Sequence, residues 1–424
     1  MRHALRLGIA VVVGAVALGP ARGAAQSTPS QCLVRVSRAI RTAPRAPDGS
    51  YRFPDSVRIA SRAAAAECVA AFVVDSVPVP QLLPLARLYA ALGRDADVRA
   101  VLVRRAAILP DSQASTLLAG VQLFAPLFGT GPAVASRRDV AIRYLTQLTA
   151  LGAPAAAEAV QANMALSDHW RTLSREDEAA RYATAALALW PQLGPAAQSA
   201  LRGTILQAYI VAAGNAANTG HPDTALALLA RATREIGGET SIDGQLAQMS
   251  ARYAMVGKPA PVLAGTYWYT AKGTASPVAF AGKVTILAFG AHWCGPCRAS
   301  YPSLIRMADA WRKQPVQFVM ATNTYGYFED HAALTPAQEA SYDSAYFLGE
   351  HKLPVTLAVS ASLTSTDVEG RVRELPSSND TAYNVASLPT TFVIDKRGIV
   401  RGVLAGWSPL NEHAITALVE QYQR

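Results

Sequence analysis

Trp293-Cys294-Gly295-Pro296-Cys297 decides the fold of this chain, together with the run that leads into it, Val284-Thr285-Ile286-Leu287-Ala288-Phe289-Gly290. The run is apolar, short and ends on glycine, which reads as a buried strand. Beyond the cysteines, Tyr301, Leu304, Ile305, Ala308 and Trp311 recur at helical spacing. A strand that feeds a helix through this motif puts Cys294 at the helix N-terminus. There the unpaired backbone N–H groups and the macrodipole favour a thiolate over a thiol. Cys297 lies one turn on, within reach of a mixed disulfide on Cys294. That spacing is what dithiol–disulfide exchange requires.

Two simpler readings compete with redox exchange at this motif. A structural zinc site needs about four ligands, yet only His292 lies near the cysteine pair, and no second C-x-x-C occurs. No metal and no bound cofactor is therefore expected; the redox group is the Cys294–Cys297 disulfide itself. An inert structural disulfide is the other reading. A second stretch bears on the choice: Ser387-Leu388-Pro389-Thr390-Thr391-Phe392-Val393-Ile394-Asp395, where a proline precedes an apolar strand, as in a turn or a cis bond.

These stretches, with Gly257-Lys258-Pro259-Ala260-Pro261, resemble the thioredoxin superfamily, specifically its exported TlpA/ResA-like branch, over about residues 255–424. The resemblance implies an α/β thioredoxin-like fold with Pro389 cis and set against the cysteines. It also implies that the backbone around Leu388 and Thr390 pairs with an extended substrate segment, with Trp293, Gly295 and Pro296 as supporting residues. Disulfide-bearing protein clients and a membrane electron donor follow by the same analogy. Two positions depart from the family. Ala288 stands where thioredoxins carry a buried aspartate, and Ser300 where some ResA-like proteins carry a glutamate. The proton of the resolving thiol must then pass to water, to His292, or to a carboxylate of an insertion, such as Glu329. His292 reads either as a stabiliser of the Cys294 thiolate or as an exposed polar residue beside the motif.

At the chain start, Arg2 and Arg6 precede an apolar segment from Leu7 to Leu18, followed by small residues. This pattern reads as a secretory signal peptide over residues 1–25, cleaved between Gly23 and Gln26, and predicts a periplasmic or other extracytoplasmic location. The apolar run is shorter than the about 20 residues a membrane span needs. No cysteine sits at the cleavage region, so a lipid anchor is not expected; an uncleaved anchor is the alternative. The net charge of +9 falls to about +6 without Arg2, Arg6 and Arg22, and the basic residues are scattered. A solvated surface explains them, and no nucleic-acid partner is expected. Cys32 and Cys68 form the second cysteine pair. In an oxidising compartment they can form a structural disulfide, and two buried free thiols are the alternative.

Residues 26–254 are rich in alanine and leucine. Leu82, Leu83, Leu85, Ala86, Tyr89 and Leu92 mark one helical face, ended by Gly93-Arg94-Asp95. Val98, Val101, Leu102, Ala106 and Leu109 mark the next, ended by Pro110. Further helices end near Gly152, Trp190-Pro191 and Gly237-Gly238. The pattern predicts an all-α region of degenerate tetratricopeptide-like helical repeats, which can present a groove to a protein partner; an irregular bundle is the alternative. Ile242–Met255 reads as its last helix. The expected organisation is thus multidomain: signal peptide 1–25, helical repeats 26–254, thioredoxin-like domain 255–424.

Within the last region, Val316–Thr322 reads as a strand, Glu339–His351 as a crossover helix and Pro354–Val359 as another strand. Ala361–Asn384 reads as a polar loop, Asp395–Gly398 as a hairpin turn and Ile399–Leu404 as a strand. A final helix is N-capped by Ser408 with Pro409 next, and Leu410, Ala414, Ala417 and Leu418 face inward. Three functions follow. The first is a thiol–disulfide reductase, favoured because Gly295-Pro296 is the dipeptide of reducing thioredoxins. The second is an oxidase or isomerase using the same cysteines. The third is a helical scaffold with a structural C-x-x-C. A pure peroxidase fits poorly, since its cysteine sits in a different local motif.

Overall fold

The computed structural model describes residues 27–42, 55–70, 72–125, 131–173, 175–361, 363–366, 372–375, 378–407 and 409–423. The segment read as a signal peptide and the Ser408 cap lie outside the described residues. The chain forms two compact units divided at Asp111.

The first unit contains α1 (Pro29–Arg41), α2 (Asp55–Val69), α3 (Leu82–Leu92) and α4 (Asp95–Ile108). α1 opens with a capping box in which Thr28 and Gln31 satisfy each other's backbone N–H groups. Gly93 closes α3 at φ +74°, a left-handed position that costs a residue without Cβ nothing. The apolar face read from the sequence is the buried one: Leu82, Leu85, Ala86 and Tyr89 on α3 pack with Val98, Val101 and Leu102 on α4. The Arg104 guanidinium donates to the carbonyls of Val74, Val77 and Asp75 and so pins the turn before α3. Cys32 and Cys68 are both buried and are bonded to each other, joining α1 to α2. Closing a loop of 36 residues constrains the unfolded chain by about 3–4 kcal/mol on the chain-entropy account.

The second unit begins with α5 (Gln113–Phe124), α6 (Pro132–Thr149), α7 (Ala156–Thr172), α8 (Glu176–Leu189), α9 (Pro195–Asn218), α10 (Pro222–Ile236) and α11 (Thr240–Tyr253). From α7 to α11 each helix packs on its successor. Alanines at the contacts (Ala179, Ala183, Ala186, Ala208, Ala212, Ala225) let the backbones come close, while Leu187, Ile205, Tyr209 and Leu229 fill the layers between them. No described helix is long and apolar enough to cross a membrane.

A seven-stranded sheet follows, built from β1 (Tyr267–Thr270), β2 (Gly273–Thr274), β3 (Val284–Phe289), β4 (Val316–Asn323), β7 (Thr356–Ser360), β10 (Thr390–Ile394) and β11 (Val400–Ala405). Two small hairpins, β5 (Tyr327–Phe328) with β6 (His331–Ala332) and β8 (Leu363–Thr366) with β9 (Val372–Leu375), stand outside it. Its order is β11-β10-β3-β4-β7-β1-β2. β3, β4 and β7 are parallel, and β10, β11, β1 and β2 extend the sheet antiparallel on its two sides. All six residues of β3 are buried, as expected of a central strand covered on both faces. Alternation sends Ile286 and Ala288 to one core with the cysteines, and Leu287 and Phe289 to the other with Tyr383 and Phe392. The helices of this part are α12 (Gly295–Trp311), α13 (Pro336–Ser344), α14 (Ser378–Ala382) and α15 (Pro409–Tyr422). α9 packs against the edge strand β11, so the helical array meets the sheet within this unit.

Three readings need correction. The crossover helix starts at Pro336, not Glu339, because Thr335 and Gln338 form a capping box with proline at N1; it then widens to a π turn over Ala345–Glu350. Ala361–Asn384 is not all loop, since it contains β8, β9 and α14. Polar composition hid this: Asn379 is buried because its amide binds Ala264 and Ser360, and the buried Tyr383 donates to the Pro261 carbonyl. On α15 Asn411, Ile415, Leu418 and Val419 are buried and Ala417 is exposed, while the side chain of Leu410 lies outside the described residues.

Candidate active site

β3 ends against the start of α12, and the turn between them carries His292, Trp293 and Cys294. Gly290 lies close under the motif, where a Cβ would press on Met320 Sδ at 3.1 Å. Cys294 is the N-cap of α12, and its Sγ accepts a hydrogen bond from the Cys297 N–H at 3.2 Å. Pro296 occupies the first turn, where its missing N–H removes no helical bond. Cys294 and Cys297 are bonded to each other.

Although both cysteines are buried, only Cys294 lines the adjoining groove of about 520 Å³, with Trp293, Gly295, Pro296, Tyr325 and Leu388 among its neighbours. Cys294 is thus sunk in the floor of the groove and not openly exposed, because the aromatic pair Trp293 and Tyr325 stands beside it, ring edge to face at 5.3 Å. Trp293 itself remains 47% exposed. The Leu388–Pro389 peptide is cis. Register fixes its place: Thr390 pairs with Phe289, the last residue of β3, and Ala405 flanks Thr390 on the other side. Thr390 Oγ1 also donates to the Ser387 carbonyl at 2.7 Å, and the Gly406 N–H donates to the Pro389 carbonyl at 2.7 Å. Pro389 is buried, while Leu388 forms part of the groove's wall.

His292 is 5% exposed, which overturns its reading as an exposed polar residue. Tyr325, Tyr327 and Phe328 surround the imidazole, with the Phe328 ring centre 4.8 Å away. Its Nδ1 shares a hydrogen bond with Asp343 Oδ1 at 3.1 Å. Among the described residues, His292 Nε2 and Asp343 Oδ2 have no partner. Glu329 is excluded as a buried acid because it sits exposed at φ +49° in the β5–β6 turn. The insertion supplies Glu339 and Asp343 of α13 instead, both fully buried. Their spacing of four residues, one helical turn, was the available signal. The Glu339 carboxylate accepts the N–H groups of Tyr325 and Gly326, each at 2.7 Å, and so shapes the loop that walls the groove.

Ligand atoms of His292, Glu339 and Asp343 lie within 4.8 Å of one another. Both Glu339 oxygens are engaged by backbone donors, which leaves His292 and Asp343 as a hydrogen-bonded acid–base couple. Ser300 carries no acid to the motif; its Oγ–H donates to the Cys297 carbonyl at 2.6 Å. Burial pushes the Asp343 carboxyl above its ordinary value of 3.8, more than His292 lowers it. The fold therefore binds that proton more tightly than the unfolded chain does. The contribution to stability is full below the unfolded value and is lost as pH rises through the folded one. Relative to wild type, Asp343→Asn should gain melting temperature as the pH rises above about 4. A difference that does not change with pH would contradict this.

Residues 256–403 match the AhpC/TSA family. A stretch of 128 residues is 30% identical to the thiol-disulfide oxidoreductase ResA of Geobacillus kaustophilus (strain HTA426), covering 30% of this chain and 57% of that protein. The thioredoxin-like protein YneN of Bacillus subtilis (strain 168) is 23% identical over 125 residues, which are 30% of this chain and 58% of YneN. The chain thus spans a little over half the length of these relatives. Among solved structures, a thiol:disulfide interchange protein of the thioredoxin family from Chlorobium tepidum TLS aligns at 21% identity with a TM-score of 0.27, covering 39% of this chain and 96% of that one. The C-terminal part of the chain is a thioredoxin-like domain, matched by the AhpC/TSA family and preceded by an all-helical region.

Proposed function

We propose that this protein is an exported thiol–disulfide oxidoreductase that reduces disulfides of protein clients through Cys294 and Cys297. The observation that carries the reading is the position of Cys294: capping α12, accepting the Cys297 N–H, and opening on the groove walled by Trp293 and Leu388. A helix N-terminus and a donated hydrogen bond both stabilise the thiolate. The groove passes beside Leu388, where an extended client backbone can lie.

In the reduced protein the Cys294 thiolate attacks one sulfur of a client disulfide. The client's other sulfur leaves as a thiolate and takes up a proton. Cys297 then gives up its proton, attacks Cys294 Sγ and releases the second client thiol. Two electrons pass from the dithiol to the client, and the Cys294–Cys297 disulfide remains. With Ala288 and Ser300 carrying no acid, we assign the Cys297 proton to the His292–Asp343 couple. The dithiol is restored by a donor at the membrane, as the TlpA/ResA-like resemblance implies. Export is supported by the signal-like segment 1–25 and by the Cys32–Cys68 bond. Residues 26–254 would then act as a helical partner-binding region, tetratricopeptide-like in character, and 255–424 as the redox domain. Gly295-Pro296 favours reduction over oxidation or isomerisation.

Alkylation tests the assignment of roles. After reduction of the full chain, iodoacetamide should modify Cys294 before Cys297, read by peptide mass mapping over time. Equal or reversed labelling would overturn the roles given to the two cysteines.

A further inference from the structure

A second cavity, of about 580 Å³, lies between the helical array and the sheet. α9 contributes Asn215 and Asn218, α11 contributes Gln248 and Arg252, and the segment after β11 contributes Gly406 and Trp407. Ser387, the residue before Leu388, lines both this cavity and the groove at Cys294, so the two share a rim. The cavity therefore continues the redox groove toward the helices.

The side chain that gives it chemistry is Arg252. It is 5% exposed and its Nε–H has no hydrogen-bond partner among the described residues. A buried guanidinium is costly unless an anion or acceptor meets it. The carboxylate lining the same cavity, Glu176, is drawn to Arg171 and does not answer Arg252. Burial accordingly depresses the Arg252 guanidinium below its ordinary value. A complementary vacancy lies on α9: the buried Asn218 Oδ1 also has no partner and wants a donor. An occupant with an anionic acceptor for Arg252 and an N–H for Asn218 is a peptide with a carboxylate side chain. We infer that this cavity binds an acidic segment of the disulfide client, its Asp or Glu carboxylate seated on Arg252, while the client cysteine reaches Cys294. Client choice would then rest on an acidic residue at a fixed distance from the cysteine, which deepens the oxidoreductase reading and rests on it for the link to reduction.

The test uses the full chain and short labelled peptides that carry one Glu at successive positions on either side of a central Ser in place of Cys, with Gln counterparts. Fluorescence anisotropy on the oxidised protein needs no chemistry. At one position the Glu peptide should bind at least about tenfold more tightly than its Gln partner, about 1.4 kcal/mol, and added salt should narrow the gap. Arg252→Gln should abolish the preference, and Arg252→Lys should keep part of it. Equal affinity for Glu and Gln peptides at every position in the wild-type protein would overturn the inference without any variant. So would a preference that survives in folded Arg252→Gln. The Cys versions of the peptides, as mixed disulfides, separate the two layers. A preference in binding with no reduction of any peptide would refute the oxidoreductase reading and leave the site. Reduction without preference would refute the site and leave that reading.

Discussion

Cys297→Ser is expected to accumulate covalent adducts with disulfide clients, and Cys294→Ser to form none. Cys294 lines the groove and Cys297 does not, so a client sulfur reaches the first cysteine and is released only by the second. Without the resolving thiol the mixed disulfide has no internal attacker and waits for an external one. Multiple turnover of insulin should fall to background in both variants, for opposite reasons: one cannot begin the exchange and the other cannot finish it. Non-reducing gels of the exported fraction, with and without dithiothreitol, separate the two. If neither variant traps anything and turnover persists, the cysteines are structural and the scaffold reading takes over.

Glu339→Ala should cost about 1–3 kcal/mol, since it leaves two part-buried backbone donors, at Tyr325 and Gly326, without their acceptor. It should also damage exchange, because Tyr325 walls the groove beside Trp293. Glu339→Gln is expected to rescue only part of the loss. One amide oxygen can accept one N–H, but the amide nitrogen is itself a donor and faces the other. Thermal and urea unfolding of the full chain, followed by tryptophan fluorescence, reads the stability, and the KM for a peptide disulfide reads the groove. A Glu339→Ala protein within about 0.5 kcal/mol of wild type would show that this carboxylate does not hold the loop.

Much of the redox half was legible because its signals are local. The strand into Trp293-Cys294-Gly295-Pro296-Cys297, the turn at Leu388-Pro389 and the hairpin at Asp395–Gly398 each lie within a few residues of chain. The helical faces of α3 and α4 were equally plain, since their apolar periodicity and Gly93 are local as well. The surroundings of His292 were not. Its partner Asp343 is 51 residues away, on a helix whose start the reading placed at Glu339 although Thr335 and Gln338 spelled out the cap. Charge alone made Glu329 look as suitable an acid as Glu339. Only the fold separates an exposed turn residue from a buried one that two N–H groups hold. Arg252 shows the same limit: on α11 it reads as one more surface arginine, and only the fold shows that it is buried beside the cavity that β11 and the Gly406–Trp407 segment also line.

The central claim is a dithiol at Cys294 and Cys297 that donates electrons to clients. Its most direct test is the reduction potential of that pair, read by titrating the full chain in thiol–disulfide buffers and trapping free thiols. A single two-electron transition is expected near the thioredoxin value of about −270 mV, lost in Cys294→Ser. A midpoint near that of the oxidant DsbA, about −120 mV, would contradict the direction proposed for the reaction.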